Sequence, residues 1–396
     1  MIQSPVFWIT LVVSVLIFWR LPERLRYGFV ALVSYGYLVT LDAASVNILI
    51  ALTLIFFFLA PHALARKDYS GFALPGLIGL ALGYLFYEKY LPSLLQRLEL
   101  AASDHTILVP LGISYFTFKL IHYAIEVARG NINDRSLSKF FCYIFLFPIF
   151  TAGPIERFDH FDANIEKTWR SELAVIGCTR IIYGLIKVFV LSKLVSAEVV
   201  GLGIPASIPE LTEELPTLAP AQTWGFLILS YLYAYLDFSA YSDIAIGASR
   251  LFGFRIMENF RFPVLARNIS DFWNRWHMTL ALWCRSYVYM PIIAYTRNPY
   301  LATYGTFVAM GLWHGATAPW VMWGLYHASG VAFYTTWSRI RRKLGQENPI
   351  FRLTSFAGIP LTFLFVSGSY AFSSTGDSGR KSIVVFLRLF GIHVEV

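Results

Sequence analysis

Residues 171–200, 222–247 and 351–372 form apolar runs, each long enough for the ~20 residues that cross a hydrocarbon core. No other feature constrains the fold as strongly. Inside hydrocarbon every backbone N–H and C=O must find its partner within the protein, and a helix supplies those partners locally. The composition agrees. The 396 residues are 57% hydrophobic and 14% charged, against roughly a quarter charged in soluble domains. That leaves too little polar surface for a water-soluble globule of this size. Aromatic residues make up 17%, which suits interface belts and the walls of buried cavities. Cys142, Cys178 and Cys284 sit in apolar stretches without a CxxC or Cys/His cluster, so neither a disulfide framework nor a metal site is expected.

Hydropathy gives ten or eleven crossing or half-crossing segments, beginning at residues 5–19, 27–41, 46–64 and 72–87. The run at 5–19 lacks a preceding basic region and a small-residue cleavage site. It is expected to be a retained first span, not a leader. Basic residues set the orientation. Arg20/Arg24/Arg26, Arg66/Lys67, Arg129/Arg135/Lys139 and Arg339/Arg341/Arg342/Lys343 mark one side. The stretch 198–221, with Glu198, Glu210, Glu213 and Glu214 and no Lys or Arg, marks the other. This places the N-terminus outside. There is no repeat and no soluble domain, so residues 1–396 read as one membrane domain.

Two places break the pattern. Residues 140–152 end at Gly153-Pro154 and span about 20 Å as a helix, short of the ~30 Å core. They are expected to be re-entrant, and irregular backbone at membrane depth requires a surrounding protein or wet cavity. The helix opening near Pro299 reaches His314 after about 22 Å. Gly315 is expected to end it in the left-handed conformation and Pro319 to start the next. The hairpin therefore turns inside the bilayer, with His314 at its tip.

Four histidines need weighing. His314, in Gly311-Leu-Trp-His-Gly-Ala316, reads either as a general base facing a polar cavity or as a structural histidine. His277 follows Asn268-Ile-Ser-Asp-Phe-Trp-Asn-Arg-Trp276. Asn268 or Ser270 can cap a helix there, with Asp271 in its first turn. Helical spacing puts Trp273, Trp276, His277 and Leu280 on one face, with Asn274 one turn back to orient the imidazole. This stretch reads as the donor side of a cavity, with arginines for phosphates, or as an interfacial aromatic-basic helix. His122, at helical spacing from Lys119 and Glu126, reads as part of a structural network, and His327 as a hydrogen-bonded core residue. Asp237 and Asp243 point in different directions on a helix and are not an acid/base pair; they read as structural residues paired with arginine or tyrosine. No GxSxG, phosphate loop or dinucleotide fingerprint is present in the right context.

These motifs resemble the membrane-bound O-acyltransferase family, in particular its bacterial branch of alginate O-acetyltransferases and teichoic-acid D-alanyl transferases. The resemblance rests on three stretches, in order: Phe238-Ser-Ala-Tyr-Ser-Asp-Ile-Ala-Ile-Gly247 with Gly253-Phe-Arg-Ile-Met-Glu-Asn-Phe260; Asp271-Phe-Trp-Asn-Arg-Trp-His-Met-Thr-Leu280; and Gly311-Leu-Trp-His-Gly315 with Trp323-Gly-Leu-Tyr-His327. Phe150-Thr-Ala-Gly-Pro-Ile155 adds to it. It implies a ring of helices around a central tunnel. The family histidine falls on His314 and its second polar site residue on His277. Two stretches depart from the family pattern. Trp283-Cys-Arg-Ser-Tyr287 lacks an Asp often found there, and Tyr370-Ala-Phe-Ser-Ser374 stands where alginate-type members carry Phe-Arg-Ala.

The resemblance implies transfer of an acyl group, acetyl first, from a cytoplasmic thioester to an acceptor hydroxyl outside the cytoplasmic membrane. His314 would be the base, and His277 would position the donor or stabilise the oxyanion. Asn274, Arg275, Arg285, Trp273, Trp276 and Trp313 would hold the donor. The donor substrate would be acetyl-coenzyme A or an acyl-carrier protein thioester, with no bound cofactor and no metal. The net charge of +8 follows from positive-inside topology and also attracts such a polyanion. The acceptor would be a polysaccharide, reached with an extracytoplasmic hydrolase-like (SGNH-type) partner. Nucleic acid is not expected as a partner. D-alanyl transfer towards teichoic acid, lipid or protein acylation, and transport of a solute remain as other readings.

Overall fold

The computed structural model describes residues 2, 4–63, 70–98, 112–196, 200–201, 203–214, 217–344, 357–376 and 378–394. His105, the pair Arg66/Lys67 and Glu198 lie outside them. The described residues are overwhelmingly helical and include no strand, only an isolated bridge between Ile165 and Phe254. The all-α expectation holds. The main helices are α1 (Pro5–Phe18), α2 (Glu23–Leu59), α3 (Ser70–Leu85), α4 (Ile113–Ala128), α5 (Leu137–Phe145), α6 (Phe158–Ala163), α7 (Ser171–Ile186), α8 (Pro220–Leu251), α9 (Ile269–Trp273), α10 (Met278–Cys284), α11 (Pro299–His314), α12 (Ala318–Leu344), α13 (Gly358–Ser373) and α14 (Gly379–Arg388). Among the described residues, the helical stretches Glu23–Ala63, Gly71–Gln96 and Ser171–Leu194 are long and apolar enough to cross a membrane, and α1 and α13 are shorter apolar helices. Leu32, Phe72 and Val175 stand out from them exposed, as side chains facing lipid do.

The chain forms two compact bodies. The first comprises Met1–Gly184 and Tyr241–Glu258. Its α2 contains the two spans expected at 27–41 and 46–64, joined at Asp42, which leaves helical geometry at φ −161° and ψ 93°. The Tyr35 hydroxyl bonds Asn47 at 3.2 Å. In a straight helix those residues would stand ~18 Å apart, so the chain folds back at Asp42. The stretch expected to be re-entrant is a nine-residue helix, α5, followed by a turn at Phe147–Ile149. Residues 142–150 are all buried. A broken helix leaves orphan carbonyls. Buried Lys119 of α4 takes two of them, donating to Tyr143 O at 3.1 Å and Ile144 O at 3.3 Å. Asp243 is held by Arg180 at 2.6 Å, and Arg180 also binds Glu258. Gly177 and Gly247 allow that approach, because a Cβ on Gly247 would lie 2.6 Å from Gly177 O.

The second body comprises Leu185–Ala240 and Asn259–Val396. Its best-packed element is the α11–α12 hairpin. The two backbones meet at glycines. A Cβ on Gly311 would lie 2.2 Å from Trp320 O, and one on Gly324 would lie 2.4 Å from Phe307 O. Only residues without side chains permit this spacing, which explains the glycine before each histidine in Gly311-Leu-Trp-His and Gly324-Leu-Tyr-His.

Candidate active site

Helix α11 ends at His314, as expected, but Gly315 is extended (φ −172°, ψ 142°) and not left-handed. Its N–H still closes the helix on Gly311 O at 3.1 Å. Glycine is needed there for space: a Cβ would come within 2.6 Å of the Trp320 ring. That ring lies flat on the His314 imidazole, with centroids 4.6 Å apart and planes 14° from parallel. Trp313 and Trp323 meet the imidazole edge-on at 4.7 Å and 5.3 Å. His314 thus stands at a helix end in a box of three indoles, partly accessible. The box limits its rotamers.

Asn268 caps α9, accepting from the Asp271 N–H at 2.8 Å. Asp271 in turn binds Arg275 Nε at 2.8 Å and the Arg267 N–H at 3.0 Å. Burial opposes its charge, but these two donors outweigh burial and hold the carboxyl below its ordinary range. The helix then stops after Trp273, which corrects the expectation of a continuous helix with Trp273, Trp276, His277 and Leu280 on one face. His277 has φ 42° and ψ 51°, the left-handed region, unusual for a residue with a side chain. The cause is a neighbouring segment that claims the backbone. Asn259 O accepts from the Met278 N–H, and the Arg261 N–H donates to Arg275 O, both at 2.9 Å.

The same segment orients the imidazole. His277 Nδ1 lies 3.0 Å from Asn259 Oδ1, which also accepts from Thr279 Oγ1 at 2.8 Å. Asn259 and His277 are both buried. The orienting residue is therefore Asn259, and not Asn274, which is exposed. Because Asn259 offers its oxygen, Nδ1 carries the proton and Nε2 is the basic nitrogen. Phe238 packs edge-on against this imidazole at 4.8 Å, and Trp313 lies 6.3 Å from it. The structure thus brings both His277 and His314 against Trp313.

His327 is buried behind Trp323, with centroids 4.7 Å apart. Its ring is sandwiched nearly parallel to Phe272 and Phe307. The expectation of a hydrogen-bonded core histidine is met only as to the core, since Nδ1 has no partner among the described residues.

An open pocket of about 390 Å³ adjoins α9, lined by Arg267, Asn268, Ser270, Asp271, Asn274, Arg275 and Tyr334. Asn274 and Arg275 are among its lining residues. Trp276 packs inward on Phe260 and Phe272, and Trp273 on Phe307 and Trp323. Arg285 is exposed and does not line the pocket. Tyr334 and Asn259 were not expected as site residues. Asn259 could have been noticed as an amide within Met257-Glu-Asn-Phe260, one of the stretches that carry the resemblance, but its range gives no hint of the partner.

The family model for membrane-bound O-acyltransferases matches residues 77–374. The chain belongs to this family. It is a membrane protein and an O-acyltransferase, and all the residues just described lie within the matched range. Among its relatives, teichoic acid D-alanyltransferase of Bacillus subtilis is 30% identical over 78% of this chain and 80% of its own length. A probable alginate O-acetylase of Pseudomonas putida is 35% identical over 61% of this chain, but the match spans only 48% of that protein. Teichoic acid D-alanyltransferase of Streptococcus thermophilus is 29% identical over 71% of the chain and 72% of its own length. This O-acyltransferase thus covers most of one group of relatives and about half of the other.

Proposed function

We propose that this O-acyltransferase moves an acetyl group from acetyl-coenzyme A, entering on the cytoplasmic side, to a hydroxyl of a polysaccharide precursor outside the cytoplasmic membrane. The N-terminus lies outside in this reading. The observation that carries it is His314 at a helix end, stacked on Trp320 and partly accessible. A neutral imidazole there takes the proton of the acceptor hydroxyl as its oxygen attacks the thioester carbonyl. The tetrahedral intermediate collapses, the C–S bond breaks, and the thiolate leaves with the proton returned by His314. His277, with its Nδ1 proton on Asn259, presents Nε2 as an acceptor. It therefore holds an N–H or O–H of a substrate and does not serve the oxyanion. Arg267, Arg275 and Tyr334 suit the donor's phosphates, Arg267 because its guanidinium has no partner among the described residues. An extracytoplasmic hydrolase-like partner would carry the acyl group onward.

The test is release of coenzyme A from acetyl-coenzyme A by purified protein in nanodiscs with a cell-envelope extract as acceptor. Wild type should release it, and folded His314→Ala should not. Equal release from both removes His314 from the mechanism. Arg267→Gln should raise the donor KM about tenfold through loss of a charge-assisted contact, with kcat nearly unchanged. D-alanyl transfer from a carrier protein is the second reading. It is favoured by the match over 80% of the Bacillus subtilis D-alanyltransferase. Silence with acetyl-coenzyme A and turnover with a D-alanyl carrier would select it.

A further inference from the structure

Three imidazoles lie close together in the second body. His277 and His314 both meet Trp313, at 6.3 Å and 4.7 Å between ring centroids. His314 and His327 both meet Trp323, at 5.3 Å and 4.7 Å. A positive charge on one of these rings opposes a charge on the next. The cluster therefore favours a single proton. What surrounds each ring decides which of them carries it when the acceptor hydroxyl gives one up.

A protonated imidazole is a cation, and the face of an aromatic ring is the negative part of its quadrupole. Indole attracts a cation best among the aromatic side chains, within about 6 Å of its centroid. Of the three imidazoles, His314 lies flat on an indole, that of Trp320, at 4.6 Å and 14° from parallel. The nearly parallel neighbours of His327 are phenyl rings, Phe272 at 6.3 Å and Phe307 at 6.2 Å. His277 has Phe238 perpendicular to it and Trp313 inclined at 60°. The placing of Trp320 is built into the hairpin. It stands in the first turn of α12, where a Cβ on Gly311 would meet its carbonyl oxygen and one on Gly315 would lie 2.6 Å from its ring. The indole face is therefore in position before a substrate arrives, as a preorganised electrostatic partner must be.

We propose that Trp320 acts in the reaction through His314: its indole face stabilises the imidazolium that His314 becomes on taking the acceptor's proton, and so selects His314 over His277 and His327 as the base. This rests on the acyl-transfer reading above, so the test has one arm that does not depend on it. In that arm, protein labelled with 15N-histidine is titrated in nanodiscs by NMR, and the His314 signal is identified by its loss in His314→Ala. In folded Trp320→Leu the ring should take its proton about one pH unit lower than in wild type, a roughly tenfold weaker hold, with Trp320→Phe between the two. An equal or higher midpoint in folded Trp320→Leu overturns the proposal. If the leucine variant does not fold, a Trp320→Phe midpoint equal to wild type does the same. The second arm follows coenzyme A release from acetyl-coenzyme A. Trp320→Leu should lower kcat about tenfold and move the acid limb of kcat/KM to lower pH by about the same one unit, and Trp320→Phe should recover part of both. A fall in kcat with the acid limb unmoved makes Trp320 a packing residue and overturns its electrostatic role. Wild type that releases no coenzyme A overturns the acyl-transfer reading alone, and the titration arm still decides whether Trp320 holds the imidazolium.

Discussion

Each body of the chain buries a histidine on or beside a helix, and the two are used for opposite ends. In the first, His122 Nε2 accepts the Phe158 N–H at 2.9 Å and lies 3.4 Å from Asp159. Lys119, one turn earlier, caps carbonyls of the broken α5. These side chains are committed to backbone: they hold loops where helices stop. In the second body His314 is enclosed by three indoles, and His277 is held through Nδ1 by one buried amide. An imidazole bonded to backbone is a strut. One oriented by side chains through one nitrogen can serve a substrate with the other. Burial alone does not separate the two cases; the kind of atom that holds the ring does.

The comparison breaks most easily by deleting each ring. His314→Ala should lower acyl transfer at least about a thousandfold, within the range of a lost general base, with melting in detergent little changed. His122→Ala should do the reverse. It strands a buried N–H, which costs about 1–3 kcal/mol of stability, while the turnover of the protein that remains folded stays at wild type. A large turnover loss in a folded His122→Ala protein would mean that the first body takes part in the chemistry.

The second way sharpens the account of His277. Asn259→Ala should cost about tenfold to a hundredfold in kcat/KM, because the imidazole loses its tautomer-setting partner, and Asn259→Asp should restore most of it by keeping an acceptor at that position. Asn274→Ala, at the exposed rim, should stay within about twofold in kcat. If the two alanine variants exchange these results, the orientation of His277 in solution differs from the one described.

That pair also shows what the sequence could convey. The truncated α11 and the position of His314 at its end were legible, because helix length, Gly315 and Pro319 are local facts. So were the Asn268 cap with Asp271 in the first turn, and the short α5. What could not be read was anything decided by a segment distant in sequence. The stretch 271–280 has uninterrupted helical spacing, yet the helix breaks at His277 because Asn259 and Arg261 take its backbone hydrogen bonds. Asn274 looked like the orienting residue because helical spacing is what a sequence displays, and Asn259 is visible only once the chain has folded. Gly315 followed the same logic. The residue type was foreseen, but the reason for it is the approach of Trp320 and not a left-handed turn.

The smallest expected effect lies back in the first body, at its half-exposed histidine. His160 Nδ1 meets Glu156 at 2.6 Å, and Glu156 also accepts the Met257 N–H at 2.7 Å. The hydrogen bond to Glu156 raises the His160 pKa above its ordinary value. A raised folded pKa means that the stabilisation is fully present below the unfolded value of about 6.5 and fades as pH rises through the folded value. Partial solvent screening keeps it within about 1 kcal/mol. The melting difference between wild type and His160→Gln should therefore be largest near pH ~6 and shrink towards pH ~9. Acyl transfer by the two proteins should remain equal at each pH, since Glu156, the group that holds His160, is itself committed to the Met257 N–H. A melting difference that grows with pH would show that His160 is held neutral. A difference in kcat that follows the titration would erase the division between a body that braces and a body that reacts.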